Sequence, residues 1–160
     1  YYASGEPYIA NNNDDLRLRA LMGNYWYDVN PTGTNFAVND FWIASGSYDT
    51  WAAANDGLRK AGFPTDLSWP IQALSGEELQ VVEGAPSDSN VIWVGGQDLL
   101  IYKSTNGGSS FSAVSHPTWP TGAQVRCIVF DPDDEDIVYV GLNGTEQHDP
   151  ASPPQGAHAS

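Results

Sequence analysis

The chain has 160 residues, with 20 acidic against six basic side chains and a formal net charge of −14. That balance repels nucleic-acid phosphates and anionic membrane surfaces, and the six cations Arg17, Arg19, Arg59, Lys60, Lys103 and Arg126 are scattered, so neither kind of partner is expected. No run approaches the roughly 18 to 20 apolar residues of a membrane-spanning helix, and a single cysteine, Cys127, leaves no intrachain disulfide to form.

Six Trp, eight Tyr and five Phe alongside 16 Gly and 11 Pro suit twisted strands separated by tight turns, so an all-β fold is expected. Residues 1–35 read as an irregular opening segment with strands. Residues 1–15, with Asn11-Asn12-Asn13-Asp14-Asp15, read as an irregular entry or a long loop, whereas Leu16-Arg17-Leu18-Arg19 alternates apolar and polar side chains and Trp26 stands between two tyrosines, so strands are expected within 16–27. Residues 36–77 read as a degenerate first repeat. Within it the alanine run after Trp51 makes residues 50–60 the one stretch that allows a short helix, and Pro64 and Pro70 mark a loop.

Two later segments repeat without a gap. Pro86-Ser87-Asp88-Ser89-Asn90-Val91-Ile92-Trp93-Val94-Gly95 returns 46 residues on as Pro132-Asp133-Asp134-Glu135-Asp136-Ile137-Val138-Tyr139-Val140-Gly141, and Val81-Val82 falls on Cys127-Ile128 at the same shift. Strands are therefore expected at Val81-Val82, 91–94, 125–130 and 137–140, paired antiparallel, with Cys127 a buried and inert thiol. The units become 78–124, a full repeat, and 125–144, a partial one, followed by a tail at 145–160 rich in Pro, Ala, Ser and Gly. An earlier copy is read at a shift of 50 residues, with Phe41-Trp42-Ile43 as the strand and Asn55-Asp56-Gly57 as the turn.

After the apolar run Leu99-Leu100-Ile101-Tyr102 comes Ser104-Thr105-Asn106-Gly107-Gly108-Ser109-Ser110-Phe111. A short polar side chain at the third position can bond the N–H groups of its own turn, and the glycines supply positive φ cheaply. Ser104, Asn106, Gly108, Ser110 and Phe111 resemble the Asp-box, or BNR repeat, of sialidase-like, xyloglucanase-like and sortilin-like β-propellers, with Asn106 where that family has Asp. The resemblance implies β-propeller-type blades of roughly 46–50 residues. It also implies that the turn is structural and remote from any substrate face.

A propeller ring closes with about four to eight blades, and this chain holds about three to three and a half repeats, so an incomplete ring is expected, covered by a second copy or by a continuation of the chain. Enzymes of the resembled family need an arginine cluster or a pair of carboxylates across a cleft. The four arginines form no such cluster and no carboxylate matches either catalytic position, so no catalytic residue is assigned.

No cofactor and no metal site is assigned either. The acidic run from Asp131 to Asp136 lacks the glycine-punctuated spacing of a calcium loop and reads as a solvated turn, and the three histidines have no metal-like spacing. Trp69 and Trp119 each precede a proline and stand in connections after a hairpin, where flat rings could contact a glycan. The expected function is a non-catalytic structural or glycan-contacting propeller module of a secreted, cell-surface or virion protein. The alternatives are a fragment of an Asp-box glycoside hydrolase and a pure assembly protein that stacks blades between copies.

Overall fold

The computed structural model describes residues 10–12, 15–17, 19–22, 25–28, 36–44, 47, 49–62, 68–115, 122–132, 134 and 136–143. Four short strands open the chain as two hairpins, β1 (Ala10–Asn12) with β2 (Asp15–Arg17) and β3 (Arg19–Met22) with β4 (Tyr25–Asp28). Then come β5 (Val38–Ile43), β6 (Asp49–Ala54), β7 (Gly57–Gly62) and β8 (Ile71–Ala73), a four-stranded antiparallel sheet in chain order. A second such sheet contains β9 (Leu79–Gly84), β10 (Ile92–Gly96), β11 (Ile101–Ser104) and β12 (Ser112–Ala113). β13 (Gln124–Phe130) and β14 (Val138–Asn143) form a third hairpin.

The β5–β8 sheet, the β9–β12 sheet and the β13–β14 hairpin, the first, second and third copies, share one design. In each, the first strand pairs with the second through four consecutive residue pairs, preceded by a bulge that inserts one extra residue in the first strand. Asp40↔Ala53 to Ile43↔Thr50, Val81↔Gly95 to Gly84↔Ile92 and Cys127↔Gly141 to Phe130↔Val138 are the equivalent pairs. The bulges fall after Val38, Leu79 and Val125, at the same place in the register. The turn between first and second strands repeats its backbone N–H bonds in the second and third copies. Asp88 Oδ1 accepts from the Asn90 N–H at 2.9 Å and Asp134 Oδ1 from the Asp136 N–H at 3.0 Å, while Val91 and Ile137 each donate to the carbonyl three residues back at 3.0 Å. These are Asx turns, so the acidic run of the third copy has a turn-forming role.

The first copy corrects the sequence reading in two respects. Residues 50–60 form the β6–β7 hairpin, not a helix. Asn55 and Asp56 make a two-residue loop closed by the Ala54↔Gly57 pair, and the alanines fit a strand buried on both faces, Ala52 and Ala54 under Phe36 and Trp69 and Ala53 against the second sheet, which overrides their helix propensity. Consequently Asn55-Asp56-Gly57 is the turn after the second strand, and Phe41-Trp42-Ile43 belongs to the first strand of its sheet; the 50-residue alignment was displaced by one strand. The counterpart of the 104–111 turn joins β7 to β8, and of that connection only residues 68–70 are described.

The sheets pack face to face, like blades. The side of the first sheet bearing Trp51, Ala53 and Leu58 meets the side of the second bearing Leu79, Val82, Ile92 and Val94. The other side of the second sheet, with Val81 and Ile101, meets Val125 and Ile128 of the third. Cross-strand partners share a face, so Cys127, opposite Gly141, points away from this core and is exposed, contrary to the buried thiol expected of an apolar strand.

Close approach depends on glycine at the contacts. A Cβ on Gly84 would fall inside the Trp42 indole, and one on Gly108 inside the Trp51 indole, so each ring of the first sheet occupies the space of a missing side chain in the second. Overpacking a filled core costs about 1–3 kcal/mol. Gly84→Ala is therefore expected to destabilise the protein by about that amount, and Trp42→Ala combined with it is expected to cost less than the sum of the two single changes. Urea titration of the four proteins of this cycle checks it; strict additivity would remove Trp42 as the obstructing group.

Candidate functional site

Two sets of polar groups stand out, the turn at 104–111 and the row of first strands. β11 delivers Ser104 to the start of the turn with its side chain buried, 1% exposed. Its Oγ accepts the Gly108 N–H at 2.9 Å and the Asn106 N–H at 3.3 Å, and its hydroxyl donates to Asn106 Oδ1 at 2.9 Å. Asn106 Oδ1 also accepts the Ser110 N–H at 3.0 Å, and Asn106 Nδ2 donates to Ser110 Oγ at 2.8 Å. Gly107 and Gly108 sit at φ +65° and +77°, a left-handed pair that side chains resist. The Gly107 N–H reaches the Asn90 carbonyl at 3.0 Å, tying this turn to the one before β10. Phe111 closes it by packing on the core between the first and second sheets.

All five residues named from sequence thus meet in one turn. Its polar atoms are directed inward at its own backbone, an arrangement suited to holding a shape. Removing the Ser104 hydroxyl would strand the buried Gly108 N–H, a loss of about 1–3 kcal/mol. Asn106→Ala is expected to cost roughly 0.5–2 kcal/mol, as for other side chains that cap backbone N–H groups, and Asn106→Asp to stay near wild type, because a carboxylate accepts the same bonds. Thermal melts of the two variants check this; equal melting of Asn106→Ala and wild type would dismiss the side chain as a turn brace.

Trp69 is not a ligand platform. It is 1% exposed, at φ +48°, inside a cluster with Phe36, Ala52, Ala54 and Ala61. Its carbonyl accepts from Arg59 Nη1 at 2.6 Å, and the same guanidinium lies 3.8 Å from the centroid of Phe36 and forks onto both oxygens of Asp56. The ring is turned inward to cover the alanine face of the first sheet. Trp119 lies outside the described residues. Among the described residues no three Asp, Glu, His or Cys side chains converge as a metal site would require, and Asp131 accepts from the Tyr139 hydroxyl at 3.2 Å.

The row of first strands was not foreseen. β5, β9 and β13 are neighbours, and each carries a polar residue at its bulge: Asn39, Gln80 and Arg126. Asn39 Nδ2 donates to the Leu79 carbonyl at 2.7 Å, bonding one sheet to the next at that level. One residue on, Asp40 Oδ2 accepts the Val82 N–H at 3.1 Å. The register of the repeats would have exposed this row had the first copy been aligned one strand earlier.

Burial raises the Asp40 carboxyl above its ordinary 3.8, against the bonds from the Val82 and Phe41 N–H groups. Burial likewise raises Glu83 above 4.5, with the charge of Asp40 adding to it. Tyr139 is raised by its bond to Asp131, and Tyr102 by burial and by Glu77.

A carboxyl raised in the folded state binds protons more tightly there than in the unfolded chain, so its contribution to stability is full below the unfolded value and is lost as pH rises through the folded value. Asp40→Asn keeps an oxygen for the Val82 N–H and removes the buried charge. It is expected to raise the melting temperature at pH 7, with the gain vanishing below pH 3.8, where wild-type Asp40 is already neutral. Melts across that range check the sign; a variant that gains only in acid would contradict it.

Sheets of antiparallel strands laid face to face, first strand beside first strand, are the blades of a β-propeller. No family model matches the sequence, and no curated protein does. Among solved structures the chain is similar to YCF48 from Cyanidioschyzon merolae, a β-propeller protein, with a TM-score of 0.58 at 16% identity, over 84% of this chain and 43% of that one. Likeness at that identity speaks for the fold alone. The chain is a partial β-propeller, and it spans less than half the length of the structure it matches.

Proposed function

We propose that this chain is a non-catalytic structural propeller module of a secreted, cell-surface or virion protein, and that its 104–111 turn is an Asp-box. The observation that carries this reading is where the polar side chains go. Ser104 and Asn106 close their own turn, Asn39 and Asp40 bond the neighbouring blade, and Arg59 holds the Trp69 carbonyl, so each is spent on the scaffold. A net charge of −14 favours partners other than nucleic acid. Asn143-Gly144-Thr145, an acceptor sequence for N-glycosylation at the end of β14, fits a secretory route.

Glycan contact is the narrower form of the proposal. With Trp69 inside the core it rests on Trp119. Trp119→Ala is then expected to lose binding on a glycan array at an unchanged melting temperature, whereas Trp69→Ala is expected to cost about 3–5 kcal/mol as a large core truncation. Incubation with xyloglucan oligosaccharides and sialosides is expected to leave them intact. Hydrolysis abolished by a single carboxylate substitution would overturn the non-catalytic reading in favour of a glycoside hydrolase.

A further inference from the structure

The third hairpin has two faces, and among the described residues only one is covered. Ile128, Val138, Val140 and Leu142 lie against the second blade, while Cys127, Val129, Tyr139 and Gly141 form the opposite face. Val129 is 53% exposed and Tyr139 49%, two of the most exposed large apolar side chains among the described residues.

Their place in the repeat is informative. Val129 and Tyr139 pair with each other as Trp42 and Trp51 do in the first blade, at the same distance from the bulge. Trp42 and Trp51 are the two rings that press onto Gly84 and Gly108 of the second blade, and Trp51 is left 2% exposed by that contact. Val129 and Tyr139 therefore stand at the positions from which the rings of the first blade reach the second, and among the described residues no blade faces them. Trp93, the equivalent of Tyr139 in the second blade, packs on the core between that blade and the third hairpin, so this position faces the next unit along the chain.

We propose that the Cys127–Val129–Tyr139–Gly141 face docks a further propeller blade, one that carries glycine at the end of its first strand and a second glycine in the turn before its fourth. The proposal rests on the propeller reading above and names the partner that the scaffold would take. A second copy of this chain is the poorer occupant. The outward face of its first blade is already closed by Phe36 and Trp69, its glycine-bearing face is buried against its own first blade, and two chains of charge −14 repel.

Cys127 supplies the readout, because it is the sole thiol of the 160 residues and is exposed on this face. The experiment compares the rate of iodoacetamide alkylation of the full chain with that of the full chain followed by a second copy of its residues 79–115, the blade with both glycines, which adds no cysteine. The fusion is expected to react at least about tenfold more slowly, since a covered thiol is reached only through local opening. Gly84→Phe with Gly108→Phe in the appended copy alone, or Tyr139→Lys in the original blade, is expected to restore the fast rate.

Equal rates for chain and fusion would overturn the proposal. So would protection in the unfused chain that grows with concentration and accompanies a dimer mass by light scattering, which would assign the face to a second copy. Hydrolysis of a glycan would instead defeat the non-catalytic reading and leave the alkylation rates untouched.

Discussion

The seating of two indole rings on two glycines is the contact that the rest of the fold depends on. Trp42 and Trp51 project from adjacent strands of the first blade into the places where Gly84 and Gly108 have no side chain. One of these glycines ends a first strand, and the other lies in an outer turn beyond the third strand. The blades are therefore held at two separated points, which fixes their mutual angle as well as their distance. Phe111, Leu58 and Val82 then fill what remains, and the apolar area removed from water supplies most of the stabilisation, at about 25 cal/mol per Å². Between the second and third blades a glycine again makes room for a side chain, in the opposite sense and with smaller parts, Val125 of the third resting on Gly95 of the second.

That contact explains why the turn at 104–111 is built so firmly. Gly108 can receive Trp51 only if its backbone stays in the left-handed region, and a loop of eight residues has little intrinsic reason to remain there. Ser104 and Asn106 supply the reason. Their side chains satisfy the N–H groups that the left-handed pair turns inward, and Gly107 is anchored to the preceding Asx turn through Asn90. The turn is thus a clamp for a neighbouring ring, and its chemistry is spent before any ligand arrives.

Polar ties along the first strands do a second job. A sheet of a propeller could slide along its neighbour, because apolar packing is not directional. Asn39 on the Leu79 carbonyl and Asp40 on the Val82 N–H set the height of one blade against the next. Holding Asp40 there desolvates a carboxylate beside Glu83, which raises both groups and costs stability at neutral pH. Bulges sit at one register position in all three blades, and in the first the same bulge presents the two residues that set its height against the second.

The strands of the second and third units, their 46-residue shift and the five residues of the turn are legible in the residues alone, because each is a local signal: alternation, an acidic Asx turn, a pair of glycines beside Ser and Asn. The sequence misled where local chemistry was degenerate. Asn55-Asp56-Gly57 serves a two-residue hairpin as well as a longer turn, and an alanine run suits a helix as well as a strand crowded on both faces. Burial was decided by the tertiary structure alone. Trp69 and Tyr139 are both aromatic residues in or beside apolar runs, yet one is sealed under the first blade and the other lies open on the third, because exposure follows from which face of a blade has a neighbour. Cys127 differs from Val81, its repeat partner, for the same reason: the two strands are alike, and only one has a blade packed on that side.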